Sequence, residues 1–308
     1  MKGSNSVPQK FALKIGSAVA LLQVLEAQAT KVPADKAPEI SDSFIRFLPP
    51  CHNSEIYFYN YIQSLPNQIS ELPEYYFGRE IEMYKDGNYS KGCIALELIE
   101  GVRTFSPIEN FSENQMLQVL NALAKLQVQF LGITEEKRNK APHEGLAGLY
   151  FHFKDWFLAL NNELMAQFPD PEMQKLSAEF KSVLPDMISA SDLDKVTVKL
   201  GMEKVLVHGD LWSANIMWKD DDKLAKLIDF QVIDLENDPS FTVILFQMIH
   251  FGLAGTDLAR LFNTCLSPED RRKNTDTYLK YYYDSLVNYC KEDNNGKVPF
   301  TYENVSQN

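Results

Sequence analysis

The chain has 308 residues, 45% hydrophobic and 12% aromatic, which is enough apolar material for one large core or two packed lobes. Its net charge of −12, from 42 Asp and Glu against 30 Lys and Arg, argues against nucleic acid or an anionic membrane surface as the main partner. No apolar run reaches the roughly 18–20 residues that span a bilayer. The four cysteines, Cys51, Cys93, Cys265 and Cys290, are scattered without metal-ligand spacing. They predict reduced thiols, hence a cytoplasmic protein.

In chain order, Lys10-Phe-Ala-Leu-Lys14-Ile predicts a strand. The basic residues, the apolar stretch from Ile15 to Leu25 and Ala27-Gln-Ala29 look superficially like a secretory leader, but Gln23 and Glu26 interrupt it and none is expected. Thr30 to Pro50, rich in Pro, Ala and charge, predicts a mobile connection. His52 to Ile62 predicts a helix, with Ile56, Tyr59 and Ile62 on one stripe and Glu55 one step off it. Ile94-Ala-Leu-Glu97-Leu-Ile-Glu100-Gly101 predicts a strand that runs into a hinge.

The remainder predicts mainly helices. Glu113 to Leu131 carries Met116, Leu120, Leu123 and Leu126 on one side. Further helical patterns cover Gly145 to Phe168, Glu172 to Leu184 and Leu193 to Leu200, and Pro268 to Cys290 is entered through the cap Ser267-Pro-Glu. Tyr281-Tyr-Tyr283 reads most simply as helix packing, and the tail from Glu292 as frayed.

One stretch carries chemistry. Val205-Leu-Val-His208-Gly-Asp210-Leu-Trp-Ser-Ala-Asn215-Ile-Met-Trp218 predicts a buried strand, a tight turn at Gly209, a polar loop and a second strand. Lys219 to Lys223 is a polar hairpin tip, and Lys226-Leu-Ile228 returns to deliver Asp229-Phe230 to the same mouth. The order His-x-Asp-x-x-x-x-Asn, then an apolar strand ending in Asp-Phe, matches the catalytic and metal loops of kinase-like phosphotransferases. Asp210 would serve the attacking hydroxyl. Asn215 and Asp229 would hold Mg²⁺ on the phosphates of ATP, because Mg²⁺ takes oxygen ligands and needs few of them from protein. His208 reads as structural, bonding loop backbone. Such a site also requires a strand lysine on the α- and β-phosphates and a helix glutamate that pairs with it. Lys14 and Glu55 stand in that order. The backbone of Leu98 and Ile99 suits adenine.

His208-Gly-Asp-Leu-Trp-Ser-Ala-Asn215, Ile228-Asp-Phe-Gln231, Phe11-Ala-Leu-Lys14 and His52-Asn-Ser-Glu55-Ile-Tyr-Phe-Tyr59 together resemble the choline-kinase-like/ecdysteroid-kinase-like family, which is related to aminoglycoside phosphotransferases. The resemblance runs from about Lys10 to the C-terminus. It implies an α+β, two-lobed protein-kinase-like fold, with a small β-rich lobe over 1–101 and a larger, mainly helical lobe over 102–308. It also implies ATP- and Mg²⁺-dependent phosphorylation of a small-molecule hydroxyl, of the steroid, choline or aminoglycoside kind. Tyr150, Phe151, Trp156 and Trp212 are candidate walls for that acceptor. The sequence leaves the oligomeric state open.

Two departures stand out. Met1 to Gln9, with only Gly3, is too short for a complete phosphate-covering hairpin, so the small lobe is expected to be truncated. Residues 232–247 separate Phe230-Gln231 from His250-Phe-Gly-Leu-Ala-Gly-Thr-Asp257-Leu-Ala-Arg-Leu261, which fits the family's continuation. Both junctions read Phe-Gln, a Val codon begins GT, and Phe-Gln can be encoded TTT-CAG. The segment therefore reads as an insertion, either a retained in-frame intron or an ordinary lineage-specific loop. Both departures favour an alternative: a kinase-fold binding protein or splice variant that does not transfer phosphate.

Overall fold

The structure is a computed structural model and describes residues 8–16, 37–65, 69–85, 88–134, 136, 146–188, 197–230, 249–293 and 296–306. The expected insertion at 232–247, the N-terminal seven residues and the leader-like residues beyond Gly16 lie outside this set.

The small lobe is an antiparallel three-stranded sheet with one long helix against it. Strands β1 (Ala12–Gly16), β2 (Tyr75–Arg79) and β3 (Gly92–Leu96) pair in the order β1-β3-β2, with Lys14 opposite Ile94. Side chains alternate across β1. Lys14 faces the helix, while Leu13 and Ile15 face outward and are exposed.

Helix α1 spans Ala37–Gln63. Ile56, Tyr59 and Ile62 are buried as the periodicity predicts. The expected connection from Thr30 to Pro50 is corrected here: from Ala37 onward it is helix, with Pro49 and Pro50 inside. Each proline removes a helical donor and costs up to about 3 kcal/mol. Burial of Leu48, Cys51 and His52 on this turn outweighs that, and the Ser54 hydroxyl donates to the Pro50 carbonyl at 2.6 Å. His52 reaches across to Arg79 O at 2.9 Å. The paired Gly16 and Gly92 permit this approach, since a Cβ on Gly92 would sit 2.3 Å from the His52 ring.

The larger lobe is helical around two small sheets. Strands β4 (Val102–Arg103), β6 (Ile216–Lys219) and β7 (Leu224–Leu227) form one sheet, and β5 (Val205–Val207) pairs with β8 (His250–Gly252) in the other. Helix α2 (Glu113–Gln129) starts at a capping box in which the Gln115 N–H donates to the Ser112 hydroxyl and the Ser112 N–H to the Gln115 side chain. Its stripe of Met116, Leu120, Leu123 and Leu126 is buried, as expected.

Helices α3 (Leu146–Gln167) and α4 (Pro171–Ile188) pair with each other. Only residues 197–199 of the pattern over Leu193 to Leu200 are described, and they are helical. Helix α5 covers Ala254–Cys265, α6 covers Pro268–Asp293 and α7 covers Tyr302–Ser306. Ser267 caps α6 by accepting from Asp270 N–H at 3.0 Å. Helices α2 and α6 pack side by side: the Tyr282 hydroxyl donates to Gln127, and Tyr283 packs on Phe300 and Tyr302. Tyr282 and Tyr283 are thus packing residues, whereas Tyr281 is exposed.

All four cysteines are unpaired. Among the described residues, no helix is long and apolar enough to cross a membrane.

Candidate active site

The catalytic-loop motif folds as its residue types dictate. The all-apolar β5 is buried, and Gly209 follows it at φ +88°, a left-handed conformation that suits glycine. Asp257, on the first turn of α5, is 0% exposed and accepts from both His208 N–H (2.8 Å) and Gly209 N–H (2.9 Å). A carboxylate one helix away therefore fixes the backbone of the turn. Burial pushes its pKa up to about 6, and the two N–H groups oppose that rise.

His208 is structural, as the sequence suggests. Its Nδ1 accepts from the Asp210 N–H at 3.2 Å, so Nε2 carries the proton and donates to Ile228 O at 3.0 Å. Burial lowers its pKa to about 4, which keeps the ring neutral. The ring also packs on Phe230, which in turn stacks on Phe58 of α1 at 4.1 Å. One buried aromatic column thus links α1, the Asp-Phe loop and the catalytic loop.

Asp210, Asn215 and Asp229 come to one mouth. Asn215 ends a 3₁₀ turn (Ser213–Asn215), and its amide donates to Asp210 O at 2.9 Å and to Asp210 Oδ2 at 3.0 Å. The β6–β7 hairpin returns the chain, and the Ile228 N–H donates to Asn215 O at 3.0 Å. Asp229 follows at φ +59°, a left-handed conformation unusual for a residue with a Cβ. Burial raises the Asp210 pKa to about 6; Arg260 opposes the rise and Asp229 adds to it.

Lys14 joins the two lobes. Its ammonium donates to Glu55 Oε2 at 2.9 Å and to Asp229 Oδ1 at 2.5 Å. Burial alone would lower its pKa, but Asp229 and Glu55 outweigh that and hold it well above the usual lysine value. Glu55 is 0% exposed. Burial raises its pKa, Lys14 lowers it, and Asp229 adds to the rise.

Leu98 and Ile99 lie apart from this group, in the segment after β3. They line a cavity of about 610 Å³ with Gly101, Lys219 and Lys226, and none of the polar residues at the mouth lines it. Of the proposed acceptor walls, Trp212 is half-buried beside Asp210, and the side chains of Tyr150, Phe151 and Trp156 lie outside the described residues. One neighbour was not anticipated: Arg260 of α5, one turn past Asp257, forms an ion pair with Asp210 Oδ1. Its only sequence signal is the i, i+3 spacing from Asp257.

The donor set fits a nucleotide-bound hard cation. The Asn215 amide hydrogens are turned to Asp210, so its Oδ1 is the atom that would accept a cation, and Asp229 has a second carboxylate oxygen beyond the one on Lys14. Among the described residues there is no ready cage of three His, Cys, Asp or Glu. Mg²⁺ that arrives on phosphates does not need one.

The profile of the DUF1679 family, described as "Uncharacterized oxidoreductase dhs-27", matches residues 1–241 and 237–308. The chain belongs to the DUF1679 family. This is the choline-kinase-like, ecdysteroid-kinase-like family that the motifs resemble, and the fold is α+β and protein-kinase-like. Two relatives from Caenorhabditis elegans are similar to it. An "uncharacterized kinase-like protein", D1044.1, is 25% identical over 88% of this chain and 64% of its own length. The "uncharacterized oxidoreductase dhs-27" is 25% identical over 92% of this chain and 32% of its own length. The chain thus spans less than two thirds of either relative. Among solved structures, choline kinase LicA from Streptococcus pneumoniae is 12% identical, with 83% of this chain and 78% of that one covered, at a TM-score of 0.35. An ethanolamine kinase from Plasmodium vivax is 13% identical, with 83% and 70% covered, at a TM-score of 0.40.

Proposed function

We propose that this DUF1679 member is an ATP-dependent kinase of a small-molecule hydroxyl, working in the cytoplasm. The observation that carries the reading is Lys14, held at once by Glu55 from α1 and by Asp229, 215 residues further along the chain. A lysine placed this way is available for the α- and β-phosphates when Asp229 turns to a metal. Asn215 and Asp229 would hold Mg²⁺, which supplies charge neutralisation on the phosphates. Asp210 faces the acceptor hydroxyl and accepts its proton. The backbone of Leu98 and Ile99 bonds adenine. We divide the lobes at Gly101, which has a positive φ and is followed by β4, paired with β6 of the larger lobe.

A second reading, a kinase-fold binding protein, is favoured by residues 232–247. The two profile matches meet within that segment, which starts three residues after Asp229. We read it as an insertion, and a mature transcript lacking it would identify a retained intron.

Thermal unfolding with ATP, with and without Mg²⁺, separates the readings. ATP with Mg²⁺ at a hundredfold excess over Kd is expected to raise Tm by about 5 °C, and Mg²⁺-free ATP by clearly less. No shift under either condition, together with no phosphate release, would support the binding-protein reading without nucleotide.

A further inference from the structure

We infer that Arg260 is a positioning residue for phosphoryl transfer, holding the Asp210 carboxylate in the orientation that meets the acceptor oxygen. The inference rests on the kinase reading above.

The two oxygens of Asp210 have different partners. Oδ2 accepts from Asn215, and Oδ1 pairs with the Arg260 guanidinium. Rotation about the carboxylate would break both contacts, so the group has one orientation. Helix α5 supplies this arrangement from a single face: Asp257 fixes the backbone at His208 and Gly209, and Arg260 fixes the side chain at Asp210.

Stability does not explain the arginine. Its side chain is 13% exposed, and its Nε is buried without a hydrogen-bond partner. A desolvated guanidinium with an unmet N–H is a poor way to stabilise a fold, and an apolar pair in place of both Arg260 and Asp210 would do as well or better. Local features that cost stability belong to sites of function. A loose phosphoryl-transfer transition state also demands more from alignment than from base strength. A carboxylate locked by a cation is less basic but better aimed, which suits that chemistry.

The test uses ATP hydrolysis to water, because it needs no knowledge of the acceptor. Arg260→Met is expected to lower kcat by about 100-fold, the scale of a small misplacement of a reacting group, and to leave KM for Mg²⁺-ATP within about twofold. Arg260→Lys, which keeps the charge on a shorter reach, should recover part of the rate and guards against loss of folding in the Met variant. In an Asp210→Asn background, Arg260→Met should lower kcat no further, because the two residues act as a unit. An undiminished kcat in Arg260→Met, a change in KM alone, or an equal loss in the Asp210→Asn background would overturn the inference while leaving the kinase reading intact. A wild-type chain that releases no phosphate would remove the kinase reading and this one with it.

Discussion

Asp210→Asn is expected to lower phosphoryl transfer by about 10²- to 10⁴-fold, the usual contribution of a positioned acid–base group, while ATP binding stays within a few-fold of wild type. Asp210 touches none of the groups assigned to the nucleotide except Asn215, whose donated hydrogens point toward it rather than toward the phosphates. The variant is nearly isosteric, but it changes the hydrogen-bond logic. Arg260 and Asn215 are both donors, and the amide has only one oxygen to offer them. One donor therefore faces an NH₂ group, so the variant loses the base and also loosens the loop. Radiolabelled phosphate release measures the rate, and nucleotide-induced thermal shift measures binding. A variant that keeps full rate would remove Asp210 from the chemistry.

Asp257→Ala should cost about 3–5 kcal/mol of folding stability. The side chain is wholly buried, and both of its oxygens accept backbone N–H groups that have no water to turn to. Truncation strands both donors beside Gly209, whose left-handed backbone is then without an anchor. Asp257→Asn keeps one acceptor and should cost roughly half as much. Urea unfolding tests this: the midpoint should fall in proportion with an unchanged slope. An Ala variant within about 1 kcal/mol of wild type would mean that the carboxylate is not what holds the turn.

Much of this arrangement is legible in the sequence because its chemistry is local. Gly209, Asp210 and Asn215 share one loop, and a hairpin of fixed reach brings Asp229 back to them. The Lys14–Glu55 pair is legible only through motif order, since a strand lysine and a helix glutamate have ordinary explanations when taken singly. The structure supplies the contact that the order implies. Asp257 and Arg260 escaped because their partners lie 49 and 50 residues away and no spacing rule connects helix α5 to the catalytic loop. The segment before His52 misled for a different reason. Prolines argue for a connection, but buried Leu48, Cys51 and His52 hold the turn helical, a tertiary effect that local propensity does not register.

The stacking of Phe58, Phe230 and His208 explains why the site depends on the position of α1. Glu55 and Phe58 stand one turn apart on that helix. Any shift of α1 that moves the glutamate from Lys14 also disturbs the ring beneath Asp229. The geometry of the Asp229 loop and that of the lysine are therefore set together.

The most direct measurement is a crystal structure of the chain with Mg²⁺ and a non-hydrolysable ATP analogue. One metal ion is expected on Asn215 Oδ1, an Asp229 oxygen and the nucleotide phosphates, with Lys14 on the α- and β-phosphates and Asp210 facing the space beyond the γ-phosphate. Nucleotide bound elsewhere, or a metal that engages neither Asn215 nor Asp229, would contradict this expectation.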